Sequence, residues 1–282
     1  MKKIFKFLIF TFFIFQSQIL PMKIDRVILS TNTNHTYIDF WPLIAKTWSK
    51  VFGIKPTLAL ICDGEYKIDE SLGDVIKFQP IEGVPAGFQA QVIRLFMPLY
   101  FPDETVLISD IDMLPINKEY FLDYVKTFSD DQFLIFSDKG YGPIMGSLPA
   151  YPMCFNIAKG KTFQDIFQIY DVRNIPTIIK SLYEKAAILN VDHDLKTKMI
   201  WMTDELTLGA RITAWDKYES KVVKRGHSFD RLVERGNWTY DKTLLKIGFY
   251  SAAHLPRPYT DPEARKQIDQ LLKDIGFDKI VE

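Results

Sequence analysis

Two cysteines in 282 residues cannot build a disulfide framework. Cys62 and Cys154 both sit in apolar, strand-like settings, where a buried free thiol is the default. A charge surplus is missing as well: Lys+Arg and Asp+Glu balance at 35 each, so no general polyelectrolyte field draws the chain to nucleic acid. No internal repeat, low-complexity tract or linker divides the sequence after residue 22. Nor is there an apolar run of the ~18–20 residues that a comfortable membrane span needs. What remains is a chain with 47% hydrophobic residues and 22 Phe, enough to bury a sizeable core.

Residues 1–21 stand apart from that core. Lys2, Lys3 and Lys6 precede the apolar stretch 7–15, a pattern resembling a secretory signal or a short signal anchor. No clear small-residue cleavage site follows it. Residues 4–20 thus offer membrane association, and the expected location is the secretory pathway or a membrane surface. Were Met22 the true start, the protein would be cytoplasmic. Asn34-His35-Thr36 and Asn237-Trp238-Thr239 are glycosylation sequons that matter only in a secreted chain.

From Met22 onward, apolar strands alternate with helix-period segments. Residues 26–30 read as a strand leading into a polar loop at 31–35. Phe40, Ile44, Trp48 and Val51 recur at helical spacing over 39–52, with Gly53 placed as a C-terminal cap. Strands follow at 57–61 and 75–78, then a loop at 83–87 and a helix over 89–100 that Pro98 must kink or end. A helix is expected at 118–128, strands at 133–137 and 154–158, and helices at 163–170 and 175–189. Residues 139–152 read as a surface loop near the site, and Asp261-Pro262 is a strong helix start. The alternation predicts an α/β fold for residues 22–282, with a mostly parallel central sheet flanked by helices. Ligands of such sheets sit at the carboxyl ends of strands, near a switch in strand order.

The segment 105–115 lies at such an end. It begins as an apolar run of strand length and finishes in Asp110 and Asp112, spaced i, i+2. Alternation along a strand would aim both carboxylates at one place, where their repulsion needs a reason. A hard divalent cation, Mg²⁺ or Mn²⁺, supplies one, and it would in turn hold something anionic. The plainer reading is an Asp-rich polar turn closing a strand.

Taken in order, Arg94, Asp110 with Asp112, Asn156, Asp204 with Glu205, and His254 resemble the nucleotide-sugar glycosyltransferases of the GT-A fold. The likeness is greatest to their glycogenin- and galactosyltransferase-like branches. In those families an Arg-bearing helix precedes a strand ending in D-x-D, as Gln91 to Pro98 here precedes Leu107-Ile108-Ser109-Asp110-Ile111-Asp112. The resemblance implies a single GT-A-like domain, with a Rossmann-like nucleotide-binding half and an acceptor half. It implies that Asp110, Asp112 and His254 bind Mn²⁺ or Mg²⁺ and that Arg94 pairs with the donor sugar or phosphate. Met202-Thr203-Asp204-Glu205-Leu206 resembles the acidic pair that contacts the donor sugar or acts as base or nucleophile. The simpler account of Asp204 and Glu205 is a helix start favoured by the dipole. Asn156 matches a position behind the acceptor site. Arg257-Pro258-Tyr259 matches a basic-Pro-aromatic segment near the phosphates, with Arg where Lys is usual and a shorter gap from His254. Thr31, Asn32 and Asp63 fall where base and ribose rest.

The implied reaction moves a sugar from a nucleotide-diphosphate sugar, UDP-linked by resemblance, to a hydroxyl of a glycan, lipid or protein. A haloacid-dehalogenase-like phosphatase using Asp110 and Asp112 is the competing enzyme reading. It expects Thr or Val where Leu114 stands, and a place nearer the start of its domain. A sugar nucleotidyltransferase expects a Gly-rich basic loop after the first strand, and residues 31–35 contain neither Gly nor Lys. A catalytically vestigial, glycan-binding relative is the non-enzymatic alternative.

Overall fold

The computed structural model describes residues 20–141, 149–189, 191 and 193–280. The signal-like segment up to residue 19 and the centre of the expected 139–152 loop lie outside them. No described helix is long and apolar enough to cross a membrane.

The chain opens with β1 (Arg26–Asn32), two short helices, α1 (His35–Ile38) and α2 (Trp41–Lys46), and then β2 (Lys55–Ile61) and β3 (Asp74–Phe78). Helix α3 (Ala86–Phe96) leads to β4 (Thr105–Ile108) and β5 (Met113–Pro115). Next come β6 (Phe133–Ile135), β7 (Asn156–Lys159), α4 (Gly160–Phe167), α5 (Ile175–Ala187), α6 (His193–Trp201) and α7 (Thr203–Thr213). The last part holds α8 (Tyr218–Lys221), β8 (Val222–Lys224), β9 (Leu232–Val233), α9 (Lys242–Lys246), β10 (Ala252–His254) and α10 (Pro262–Asp274).

Seven strands form the main sheet in the order β3-β2-β1-β4-β7-β6-β8. Its pairs are parallel except those that β7 makes with β4 and β6. Alternation explains the unbroken apolar run of β1: Val27 and Leu29 enter the core on one face, Ile28 the core on the other. Because both faces are covered, the strand has no polar side to show.

The chain builds outward from β1 to β2 and β3, then returns through α3 to place β4 on the other side of β1. Strand order therefore switches between β1 and β4, and a crevice opens beyond their carboxyl ends. The register sets Ile28 beside Ile108, and the Ser109 amide donates to the Ile28 carbonyl at 3.0 Å. Asp110 and Asp112 follow directly.

Two expectations need correction. Residues 118–128 are helical but not one regular α-helix: a wide π turn, Glu119–Asp123, is followed by a 3₁₀ turn, Val125–Thr127. Their aromatic side chains fill the space against Trp48, Phe52 and Phe136, so packing overrides helical spacing. The second correction concerns the D-x-D. Strand β4 ends at Ile108, and Asp110 and Asp112 lie in the turn between β4 and β5. Strand alternation no longer applies to them, and they face different partners.

The helix start at Asp261 is as read: its side chain accepts from the Ala264 amide, with Pro262 opening α10. The helix expected over 89–100 is α3 continued by a tighter turn, Met97–Tyr100, that contains Pro98.

Candidate active site

A second sheet, β5-β10-β9, builds one end of the crevice. In it His254 pairs with Met113, and the Leu255 amide donates to the Asp112 carbonyl at 2.9 Å. His254 is thereby set beside Asp112 by backbone register. On its other side β10 runs parallel to β9, with Ala253 beside Val233. The chain leaving β9 brings Glu234 and Arg235 to the same place.

Asp112 is buried, and cations surround its Oδ2. Arg235 reaches it at 2.6 Å, His254 Nε2 at 3.5 Å and Arg257 at 3.7 Å. Burial pushes its pKa up, but His254, Arg235 and Arg257 outweigh that and hold it below the ordinary carboxylate value. Burial likewise pushes His254 down, and Asp112 and Glu234 overcome it, so the imidazole titrates above its usual range. Glu234 accepts at His254 Nδ1 from 3.2 Å, which orients the ring and leaves Nε2 toward Asp112.

Asp110 turns the other way. Arg94, near the end of α3, bridges Asp110 Oδ1 and Asp204 Oδ2, the latter at 2.9 Å. One turn earlier on the same helix face, Gln91 Nε2 donates to Asp204 Oδ1 at 3.0 Å. Asp204 has no exposure at all. Burial raises its pKa despite the opposing charge of Arg94. It serves as the buried anchor of an Asp110–Arg94–Asp204–Gln91 chain.

Glu205 is the next residue in α7, and its environment differs. Oε1 accepts from the Tyr141 hydroxyl at 2.5 Å, while buried Oε2 has no partner. Burial first, and the Asp204 charge second, raise its pKa from the ordinary 4.5 to about 7. A carboxyl whose folded value is raised stabilises the fold fully below its ordinary value, and that stability is lost as pH rises through the folded value. The shift corresponds to a loss on the order of 3 kcal/mol between about pH 4.5 and about pH 7. Glu205→Gln keeps the acceptor for Tyr141 and removes the buried charge. Its unfolding free energy in urea is expected to lose this slope and to exceed that of the parent protein at about pH 8. A parent and variant with parallel pH profiles would refute the assignment.

These groups line one cavity of about 510 Å³. Thr31 and Asn32, at the carboxyl end of β1, line it, as do Arg94, Asp110, Asp112, Glu205, His254 and Arg257. Three expected residues do not. Asp204 lies behind Arg94 and Gln91. Asp63 is exposed beyond the end of β2, outside the lining. Asn156 is fully buried where β7 pairs with β4. Its Nδ2 donates to the Pro152 and Met153 carbonyls at 2.8 and 3.0 Å, so the amide braces a turn behind the cavity.

Sequence reading missed Arg235, Tyr141, Gln91 and Tyr37, the last accepting a hydrogen bond from Arg257. Of these only Gln91 had a signal, its i, i+3 spacing from Arg94.

The donor set suits Mn²⁺ or Mg²⁺ in chemistry, and Asp112 Oδ2 and His254 Nε2 are close enough to meet one ion. Asp110 is held apart by Arg94. Among the described residues no three His, Cys, Asp or Glu side chains converge as a metal group. Asp112 Oδ2 is itself paired with Arg235 at 2.6 Å, so an ion held by Asp110, Asp112 and His254 would need both arginine pairs to open.

A mostly parallel sheet with a switch between β1 and β4, a D-x-D turn at that switch and helices on both faces define the GT-A architecture. Among solved structures, an active-site mutant of the galactosyltransferase LgtC matches with TM-score 0.50 and 12% identity, over 88% of this chain and 95% of that one. LgtC in complex with donor and acceptor sugar analogues matches over 89% and 95%, at TM-score 0.46 and 12% identity. The likeness is one of fold. No protein-family model and no curated protein sequence matches the chain.

Proposed function

We propose that the protein is a glycosyltransferase that moves a sugar from a UDP-sugar to a hydroxyl of a glycan. The observation that carries this is a single cavity lined both by a cation-rich carboxylate cluster at Asp112 and, apart from it, by Glu205, whose Oε1 accepts from Tyr141. Diphosphate departure builds negative charge, and Arg235, Arg257 and His254 ring the place where it would be met. Asp112 and His254, joined by Asp110, would hold Mn²⁺ or Mg²⁺, which when bound adds Lewis-acid neutralisation of the leaving diphosphate. Thr31 and Asn32 sit where the nucleoside would rest. Arg94 fixes the turn that carries Asp110.

Glu205 is the residue for the reacting carbon or hydroxyl. Its Oε2 is unpartnered and its pKa of about 7 suits proton transfer near neutrality. Asp204, fully engaged and outside the cavity, positions Arg94. The phosphatase alternative, like the metal site, needs Asp110 released from Arg94, and phosphate release from small phosphoesters separates the two readings.

The test is thermal stability against UDP, GDP and CMP, each with and without Mn²⁺. A nucleotide at ~100 times its dissociation constant should add roughly 2.7 kcal/mol, readily read as a melting shift. The expected result is a shift with UDP that requires Mn²⁺. No shift with any nucleotide, together with phosphate release from small phosphoesters, would overturn the reading.

A further inference from the structure

Among the described residues the most exposed large apolar side chains are Leu20, Tyr170, Ile188, Val191, Trp201 and Ile247. Of these Trp201 alone lines the cavity, with 59% of its surface exposed. It ends α6, a helix with no buried residue, and Thr197 stands one turn before it on the same face, also lining the cavity. The backbone beneath the ring is fixed: the Trp201 carbonyl accepts from Gln91 Nε2, the same nitrogen that donates to Asp204. Among the described residues, this is an indole left open to solvent at the mouth of a cavity of mixed polarity.

From these observations we infer that Trp201 is the stacking platform for a pyranose ring of the acceptor, which makes that acceptor a carbohydrate. The inference rests on the transferase reading for its second half, the word acceptor, and not for the binding itself. A pyranose offers one flat C–H face and a rim of hydroxyls. The indole matches the face, and the Thr197 hydroxyl and the cavity's polar wall match the rim. Thr197 and Gln91 set polar groups beside the indole, which suit a sugar's hydroxyls better than a lipid chain. Position separates this place from the donor end. Arg235, Arg257 and His254 gather at Asp112, whereas Trp201 is reached from Asp110 through Arg94, Asp204 and Gln91. Glu205 lines the same cavity, and its Oε1 accepts from the Tyr141 hydroxyl.

The experiment is saturation-transfer NMR on the full chain with methyl β-D-glucoside, methyl β-D-galactoside, N-acetylglucosamine and maltose, each with and without UDP and Mn²⁺. Wild-type protein is expected to saturate the C–H protons of one face of at least one sugar. Trp201→Ala should weaken that binding about tenfold or more, and Trp201→Phe, which keeps a ring, should retain most of it. The UDP and Mn²⁺ melting shift, read on the same variants, reports whether the donor end is intact. Sugar binding unchanged in Trp201→Ala overturns the inference, as does wild-type protein that binds none of the sugars in either state. Loss of the UDP shift in Trp201→Ala with sugar binding retained also overturns it, because the ring then serves the donor. Sugar binding that depends on Trp201 in a protein giving no nucleotide shift would leave the platform standing and remove the transferase reading.

Discussion

Asp112→Asn is expected to abolish the UDP- and Mn²⁺-dependent melting shift and to lower transfer about 100-fold or more, with the circular dichroism spectrum unchanged. Asn preserves shape and removes the one charge on which Arg235, His254 and Arg257 converge. Those three cations would then repel one another around a neutral amide. The cost to folding is smaller than for a sealed ion pair, because the three cations keep about a quarter of their side-chain surface or slightly less in contact with water. A loss of about 1–3 kcal/mol in urea unfolding is expected. Wild-type transfer in this variant would sink the mechanism outright.

The second large effect falls on stability. Arg94 is the counter-charge for fully buried Asp204 and holds Asp110 with the same guanidinium. Arg94→Met leaves two carboxylates facing each other's former partner, and breaking a buried pair by removing one member costs about 3–5 kcal/mol. The pH dependence has a definite sign. Asp204 already titrates above its ordinary value, and without Arg94 it rises further. A carboxyl raised in the fold gives its stability below its ordinary value and loses it as pH climbs through the folded one. The deficit of Arg94→Met should therefore be larger at about pH 8 than at about pH 5. Adding Asp204→Asn, which keeps a partner for Gln91, should recover much of the loss, and a double-mutant cycle measures how much. Arg94→Lys should recover little, because an ammonium cannot span two carboxylates as the planar fork does. An Arg94→Met protein less than about 1 kcal/mol below the parent at about pH 8 would show that the buried pair is not what holds this wall.

Part of the cavity lining was legible because it depends on local facts. An apolar run ending in Asp-x-Asp marks a strand end in any α/β sheet, and Asp112 and Thr31 line the crevice as a result of where their strands stop. His254 was legible only through resemblance, since its place beside Asp112 is made by the pairing of β10 with β5. Arg235 had no signal: it follows Glu234 just past the two-residue strand β9, and nothing nearby says that β9 will lie against β10. Asn156 shows the converse failure. Its residue type suggests a sugar contact, yet its register opposite Ile108 buries it, and a buried amide must spend itself on backbone carbonyls. Residues 118–128 misled for the same reason, as helical spacing was claimed by an aromatic cluster.

The small sheet also bears on the order in which the molecule comes together. Arg235 and Asp112 are 123 residues apart in the chain, yet they touch. Closing a loop of that length costs roughly 4 kcal/mol of chain entropy before any contact repays it. Ile28 and Ile108 can pair without β9 or β10, so the layered core can gather while the donor end is still open chain. Strands β9 and β10 are only two and three residues long, so few ladder hydrogen bonds hold them, although Val233, Ala252 and Ala253 are buried. Amide exchange should accordingly be faster in β9 and β10 than in β1 and β4, and a partly opened molecule would part Arg235 and His254 from Asp112 before the main sheet gives way.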